Sequence, residues 1–141
     1  MRAVVSRVTE AAVLVAGQVV GELDRPGLLV LLGVTHDDGS EQAETMARKL
    51  HELRILRDER SVADTGAGVL IVSQFTLYGS TRKGRRPSFT AAARPEHAEP
   101  LIDEVVDRLR ARGVLVATGR FGAMMAVRSV ADGPFTVLLE V

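Results

Sequence analysis

The sequence predicts an α/β or α+β domain in which two helices pack against a mostly antiparallel sheet of about seven strands. Strand-like patterns occur in both halves of the chain, two stretches have helical spacing of apolar residues, and turn residues separate them. The chain has 141 residues, of which 46% are hydrophobic and 26% charged, a composition typical of folded rather than disordered proteins. This length fits one domain spanning residues 1–141.

The first half of the chain is predicted to consist mainly of strands. Residues 3–15 are rich in valine with polar interruptions, which indicates one or two strands. A turn at residues 16–18 and a short strand over residues 19–23 follow. Residues 28–34 are continuously apolar, as expected of a strand that is buried on both faces.

Two helices are predicted from apolar spacing and from their end signals. Residues 38–41 have the spacing of an N-cap at Asp38 with a glutamate three residues later. The first apolar stripe follows at Ala43, Met46, Ala47, Leu50 and Leu53. Pro95 suits the first turn of the second helix, and Gly113 suits the position just beyond its end. The polar residues 60–68 between the helices predict a loop.

The remaining strands are predicted in the second half. Residues 69–78 form a strongly apolar strand, and residues 79–89 form a polar, basic loop. After the second helix, three closing strands are expected over residues 114–117, 124–130 and 135–141.

Charge and composition exclude several classes of function. Lysine plus arginine and aspartate plus glutamate both number 18, so any nucleic-acid contact must come from a local patch. Without cysteine, the chain has no disulfide, no thiol nucleophile and no Cys-ligated metal, and its three histidines lie in separate elements. We therefore expect no metal and no cofactor. The apolar run 28–34 is too short to span a bilayer, and Arg7 and Glu10 interrupt any signal peptide, so a cytoplasmic protein is expected.

The loop 79–89 is a candidate for contact with RNA or phosphate. It carries four positive charges within five residues, namely Arg82, Lys83, Arg85 and Arg86. Arginine forks match phosphate oxygens, and glycine lets the backbone approach a ligand closely. The loop also has the two glycines of a P-loop, but Arg-Arg-Pro replaces the Lys-Ser/Thr pair, so nucleotide hydrolysis is not indicated. The alternative is a solvated loop that only favours solubility.

Two further segments have two interpretations each. The polar residues 73–76 end an apolar strand, so they either line a pocket or turn toward solvent at an edge. The Gly133–Pro134 bond precedes the last strand, and the low frequency of cis X-Pro bonds favours a plain trans turn.

Four segments together carry a resemblance to a known family. They are Ser-Gln-Phe-Thr-Leu-Tyr at 73–78, Lys-Gly-Arg-Arg-Pro-Ser-Phe at 83–89, Thr-Gly-Arg-Phe-Gly-Ala at 118–123 and Asp-Gly-Pro-Phe-Thr at 132–136. In this order they resemble the D-aminoacyl-tRNA deacylases over essentially the whole chain. The pair of Ser-Gln-Phe-Thr and Gly-Pro-x-Thr at this separation is specific, whereas neither motif alone is.

The resemblance implies a deacylase-type fold, which is a partly closed barrel, and a homodimer. It implies hydrolysis of the ester between a D-amino acid and the terminal ribose of tRNA, with the 3′ end of the aminoacyl-tRNA bound at the dimer interface. Glycyl-tRNA, including glycine mischarged on alanine tRNA, is expected to be accepted because glycine has no side chain to reject. No DNA or membrane partner is expected.

The resemblance also assigns roles to residues. The catalytic segment is Ser73, Gln74, Phe75 and Thr76. Gly133 and Pro134, joined by a cis bond, enter the partner's pocket and present backbone carbonyls to the substrate's α-carbon, so that L-residues are rejected by steric clash. Phe121, Met125 and Arg7 are further substrate-site residues, and the basic loop contacts tRNA. Arg7 either braces the Gly-Pro segment or forms an ordinary surface ion pair.

The mechanism and two departures from the family pattern leave alternatives open. Thr76 is the obvious nucleophile by position, but no histidine or carboxylate is evidently placed to activate it. The family favours activation of water by the substrate's own 2′-hydroxyl, with the backbone N–H groups near Phe75 and Thr76 holding the oxyanion. Ala131 replaces the usual asparagine and Met124 the usual aspartate, and both methionines at 124–125 read as packing residues in a strand. A catalytically impaired tRNA-binding homologue is therefore the alternative to the enzyme.

Overall fold

The computed structural model describes all residues 1–141, which form six strands and three α-helices. The strands are β1 (Arg2–Val15), β2 (Gln18–Leu23), β3 (Gly27–Gly33), β4 (Gly68–Ser73), β5 (Val116–Thr118) and β6 (Ala126–Glu140). The helices are α1 (Ser40–Glu52), α2 (Val62–Thr65) and α3 (Pro95–Ala111). Two 3₁₀ turns, Arg57–Glu59 and Phe75–Tyr78, complete the fold.

All six strands belong to one mixed sheet in the order β2-β1-β3-β4-β5, with β6 paired to β1. The long strand β1 pairs antiparallel with β2, β3 and β6, whereas β3-β4 and β4-β5 are parallel. The sheet curls so far that β2 meets β5. A Cβ atom built on Gly21 would lie only 2.1 Å from the carbonyl oxygen of Thr118. The predicted fold class, with its partly closed barrel, is confirmed. The pairs of β1 with β2, β3 and β6 form its antiparallel part.

Two clusters of buried apolar residues lie on opposite faces of the sheet. The larger one, of 25 residues, fills the space between the sheet and helices α1 and α3, where Met46, Leu50, Val105 and Leu109 are fully buried. The smaller one consists of Val8, Ala11, Val13, Leu23, Leu29, Leu70 and Val72. The apolar stripes predicted for both helices therefore form the helix-side core, as expected for amphipathic helices.

The strand count differs from the prediction because the last two predicted strands are one. Strand β6 runs through both, and the polar residues between them form a bulge rather than a turn. Val8 pairs with Ala131 and Ser6 with Thr136, so the four residues 132–135 oppose Arg7 alone. The predicted strand 69–78 stops at Ser73, and the 3₁₀ turn begins at Phe75.

The helices also differ from the prediction in two details. The predicted loop 60–68 contains α2, which begins where Ser61 and Asp64 exchange side-chain and backbone hydrogen bonds in a capping box. Gly39, not Asp38, is the N-cap of α1. The Asp38 carboxylate instead accepts hydrogen bonds from the ammonium group of Met1 at 2.5 Å and from the N–H of Thr35 at 2.8 Å.

Helix α3 begins with Pro95 as predicted, and Gly113 beyond its end has φ of +79°. None of the helices combines the length and the apolar character needed to cross a membrane.

Candidate functional site

The polar segment that follows β4 is held in place by its backbone. The N–H of Gln74 donates to the carbonyl of Leu32 at 2.8 Å, which ties the segment to the end of β3. The N–H groups of Leu77 and Gly79 donate to the carbonyls of Gln74 and Thr76, which closes the turn. Gly33 permits this close approach, since a Cβ atom there would lie 2.9 Å from the Gln74 carbonyl oxygen.

The turn directs the side chains of Phe75 and Thr76 outward. Phe75 is 57% exposed, and its ring meets the ring of Phe89 edge to face at 5.3 Å. The Thr76 hydroxyl accepts a hydrogen bond from the side-chain amide of Gln74, its only side-chain partner. Neither histidine nor carboxylate activates this hydroxyl, so the segment lacks the general base of a nucleophilic triad. Phe75 and Thr76 open the turn, and the first N–H groups of a helical turn have no acceptor within it.

Tyr78 closes this segment on the inside. Its ring is buried, and the guanidinium of Arg2 lies 4.7 Å from the ring centroid. Burial, with a smaller contribution from the charge of Asp38, raises the pKa of the Tyr78 hydroxyl to about 12.

The bulge opposite Arg7 forms a second candidate segment. Arg7 Nε donates to the carbonyl of Asp132 at 2.9 Å, and its guanidinium lies 5.0 Å from the centroid of the Phe135 ring. The same Nε lies 3.4 Å from the Asp132 carboxylate. Arg7 therefore contacts both the backbone carbonyl and the carboxylate of Asp132, and its role in a substrate site stays a prediction.

The Gly133–Pro134 bond is trans, because the chain contains no cis peptide bond. The cis bond implied by the family resemblance is wrong for this structure, and the trans bond favoured by general frequencies is right. Gly133 instead adopts φ of +71°, a left-handed conformation that only glycine enters freely. Gly133 and Pro134 are both exposed.

Sequence reasoning missed the contact of Arg57 with the bulge. Arg57 Nε lies 3.1 Å from each oxygen of the Asp132 carboxylate, and its Nη2 lies 2.5 Å from one of them. These hydrogen bonds lower the pKa of Asp132 below its usual value and raise the pKa of Arg57. Arg57 stands 75 residues before Asp132 in a polar run, and no local pattern signals the pairing.

The two candidate segments lie apart within one chain. Gly33, which contacts the Gln74 turn, pairs with Arg2 of β1, whereas the bulge faces Arg7. Arg2 and Arg7 are five residues apart along β1, which corresponds to about 17 Å. The structure therefore does not bring Thr76 and Gly133 of the same chain together.

Met125 and Phe121 lie on different faces of the sheet. Met125 packs with the smaller cluster beside Val72 near the end of β4, and its Sδ accepts the N–H of Arg120 at 3.4 Å. Phe121 packs against the helix-side core. Met124 is 93% exposed and precedes β6, so its expected packing role is wrong.

The basic loop lies beside the Thr76 turn. Backbone hydrogen bonds of 2.7 and 3.0 Å between Ser80 and Ser88 close its base, and Phe89 connects it to Phe75. Its four cationic side chains are exposed, and none forms an ion pair: Arg82, Lys83, Arg85 and Arg86. The charge of this loop is thus free to meet an anionic ligand next to Thr76. No group of three or more metal-ligating side chains occurs in the chain.

Comparison with known proteins identifies relatives along the full length. The family model described as D-Tyr-tRNA(Tyr) deacylase matches residues 4–140. A D-aminoacyl-tRNA deacylase of Kineococcus radiotolerans is 65% identical, with 99% of each chain covered, and one of Thermobifida fusca is 62% identical, with 100% of each covered.

Two solved structures share the fold. One, described as c-Myc DNA Unwinding Element Binding Protein, has a TM-score of 0.92 and 40% identity, covering 100% of this chain and 99% of its own. The other, a probable eukaryotic D-amino acid tRNA deacylase, has a TM-score of 0.88 and 20% identity, covering 99% and 98%, and supports the fold alone. The match over residues 4–140 and the close curated relatives show that the chain belongs to the D-Tyr-tRNA(Tyr) deacylase family.

Proposed function

We propose that this protein hydrolyses the ester bond of D-aminoacyl-tRNA and releases the free D-amino acid and tRNA. The observation that carries the proposal is the exposed Phe75–Thr76 turn beside a loop with four unpaired cations. The turn offers polar groups to a small reacting centre, and the loop offers guanidinium groups to the phosphates that flank it. Membership in the deacylase family supports the same reaction.

The exposed backbone of Gly133 and Pro134 is proposed to select the D-enantiomer. A rigid backbone wall at the substrate's α-carbon accepts a side chain that points one way and clashes with its mirror image. Such a filter needs fixed backbone carbonyls that a substrate can reach, and Gly133 and Pro134 are both exposed. Glycyl esters pass the filter because they carry no side chain.

A second copy of the chain is proposed to complete the site. The positions on β1 that the two segments face lie about 17 Å apart within one chain. A site that uses both segments therefore takes one of them from another molecule. Strand β6 is paired only with β1, and Leu138 on it is 76% exposed. Leu138, Val4 and Leu31 form one row across three strands on the face away from the helices. A two-fold dimer covers this apolar row and brings the bulge of one subunit to the Thr76 turn of its partner.

The proposed reaction is attack of water on the ester carbonyl. The only side-chain partner of Thr76 is the Gln74 amide, which is no general base. The substrate's 2′-hydroxyl is therefore proposed to take part in activating the water. The backbone N–H groups of Phe75 and Thr76 hold the oxyanion that forms. The bond between the carbonyl carbon and the ribose 3′ oxygen then breaks, and that oxygen takes up a proton. Because the substrate is aminoacyl-tRNA, the reaction takes place in the cytoplasm.

The basic loop is proposed to bind the tRNA backbone. Four exposed arginine and lysine side chains neutralise phosphates and release counterions, so binding weakens as salt rises. The variant Arg85→Ala/Arg86→Ala is expected to weaken tRNA binding and to reduce the salt dependence by about two phosphate contacts. A DNA duplex as competitor measures whether the loop distinguishes RNA from other polyanions.

The test is deacylation of D-tyrosyl-tRNA, L-tyrosyl-tRNA and glycyl-tRNA by the purified protein. The proposal expects rapid loss of the D-ester and the glycyl ester, with the L-ester intact. Loss of both enantiomers would contradict the backbone filter. Tight, salt-sensitive tRNA binding without hydrolysis of any ester would favour the alternative, a tRNA-binding homologue that has lost activity.

A further inference from the structure

We propose that Arg57 is a positioning residue that, together with Arg7, clamps the bulge of residues 132–135 and thereby sets how strictly the protein rejects L-aminoacyl esters. The inference rests on the proposed function for its effect on substrate selection. Its structural part, the clamp itself, is independent of that function.

The bulge needs support from outside its own strand. Four residues oppose Arg7 alone, so the regular ladder of hydrogen bonds between β1 and β6 is interrupted there. Gly133 at its centre adopts φ of +71°, and glycine has the largest conformational freedom of all residues. Strand β6 is paired only with β1, so no further strand of this chain restrains the bulge.

Two arginines supply this support from different parts of the fold. Arg7, on β1, donates a hydrogen bond to the backbone carbonyl of Asp132, and Arg57 forms a bidentate contact with the Asp132 carboxylate. A Cβ atom built on Gly133 would lie 3.1 Å from Arg57 Nη2 and 3.2 Å from Arg7 Nη2. Both guanidinium groups therefore lie against the same side of Gly133, and they restrain the wall that we propose as the chiral filter.

The turn that carries Arg57 is itself well anchored. Leu56 before it is buried, and its N–H donates to the carbonyl of Arg60 at 2.9 Å. Asp58 and Glu59 adopt φ of +58° and +53°, conformations that cost free energy for residues with a side chain. The buried Leu56 and the positive φ angles that follow Arg57 fix the backbone from which Arg57 reaches Asp132.

Arg57 contacts the segment in which Ala131 departs from the family pattern. The resemblance places an asparagine before Asp-Gly-Pro, where its amide can hydrogen-bond the local backbone, and an alanine cannot do so. The contact from Arg57 reaches the next residue, Asp132, and restrains the same segment from another direction.

The experiment compares Arg57→Ala with a matched control, Arg60→Ala. Arg60 lies three residues further on the same exposed stretch, and its Nη2 donates to the carbonyl of Asp64, away from the bulge. Two quantities are measured for each variant. One is the amide hydrogen exchange of residues 132–136, and the other is the ratio of kcat/KM for D-tyrosyl-tRNA to that for L-tyrosyl-tRNA.

The clamp predicts faster exchange in the bulge of Arg57→Ala and a D/L ratio lowered about fivefold, the effect expected when one partly exposed ion pair is lost. The kcat/KM for the D-ester and the thermal midpoint stay close to wild type, which separates positioning from general destabilisation. Adding Ala131→Asn to Arg57→Ala is expected to restore part of the ratio. Arg60→Ala changes neither quantity.

Wild-type exchange and a wild-type D/L ratio in Arg57→Ala would overturn the clamp, whatever the activity of the protein. Faster exchange with an unchanged ratio would overturn the link to selectivity. If the wild-type protein hydrolyses no D-ester, the proposed function fails, and the exchange measurement still decides whether Arg57 holds the bulge.

Discussion

The two segments of the candidate site are built in different ways. The Thr76 turn follows a buried parallel strand, and backbone hydrogen bonds to Leu32 and within the turn fix its position. The bulge at Gly133 interrupts a strand with one free edge, and two arginine side chains from elsewhere in the chain hold it. Substitutions in the two segments should therefore have different consequences, for folding in the first and for selectivity in the second.

The largest effect is expected where a side chain intrudes on the backbone-held turn. In Gly33→Ala the new Cβ atom lies 2.9 Å from the Gln74 carbonyl oxygen and 3.2 Å from Leu77 Cβ, so the turn must shift. We expect the free energy of unfolding to fall by about 2 kcal/mol, and D-ester hydrolysis to fall with it. Denaturant unfolding and deacylation rates measure both effects.

The control for this prediction is Gly39→Ala, whose Cβ atom has no neighbour closer than 3.8 Å. It should cost less than about 1 kcal/mol, since only an N-cap preference changes. Equal stability of Gly33→Ala and wild type would show that the turn is not held by its contact with β3.

A smaller loss of stability is expected for the segment held by side chains. Arg7→Ala removes the hydrogen bond to the Asp132 carbonyl and the contact with Phe135, at a cost of about 1.5 kcal/mol. The D/L ratio of kcat/KM should nevertheless fall at least roughly tenfold, because the wall itself loosens. Arg48→Ala, which removes an exposed ion pair with Glu52, is the control and should change neither quantity. An unchanged D/L ratio in Arg7→Ala would contradict the comparison.

The sequence predicted the structure where local patterns decide it and missed contacts between distant residues. Strand β4 and helix α3 follow from local patterns, an apolar run and an apolar stripe between Pro95 and Gly113, but the 3₁₀ turn over Phe75–Tyr78 was predicted as strand. The pairing of Arg57 with Asp132 and that of Met1 with Asp38 have no local pattern, since 75 and 37 residues separate the partners.

The continuity of β6 was missed for a related reason. A Gly-Pro pair normally ends a strand, and here the arginine contacts let the strand continue through it. The predicted packing of Met124 was wrong because apolar character alone does not show whether a side chain beside a strand end is buried.

The buried Tyr78 hydroxyl on the inner side of the Thr76 turn should make the stability of the protein depend on pH. The pKa of Tyr78 is raised to about 12 in the folded protein, against about 10 in the unfolded chain, so its neutral form favours folding. This stabilisation is complete below pH 10 and is lost as the pH rises toward 12. At pH 11 we expect a loss of about 1 kcal/mol relative to pH 9 that Tyr78→Phe does not show. Parallel stability profiles of both proteins would contradict the burial of this hydroxyl as the cause.

The smallest effect is expected for the hydroxyl of Thr76. Thr76→Ala should retain measurable D-ester hydrolysis, reduced by less than about tenfold, because the hydroxyl has no base to activate it. Its stability should change by less than about 0.5 kcal/mol, as for other exposed positions. Thr76→Ser is the control that keeps the hydroxyl. Complete loss of activity in a folded Thr76→Ala would instead support a covalent intermediate on Thr76.

The central claim is that the turn of one subunit and the bulge of its partner form one site. The chain contains no cysteine, so single cysteines introduced by Thr76→Cys and Pro134→Cys react without background. The two variants are mixed, allowed to exchange subunits and treated with a short bifunctional maleimide that cannot bridge about 17 Å. The account predicts a covalent dimer in the mixture that neither variant forms alone. Monomers only, from a mixture that still hydrolyses D-aminoacyl-tRNA, would contradict a site shared between subunits.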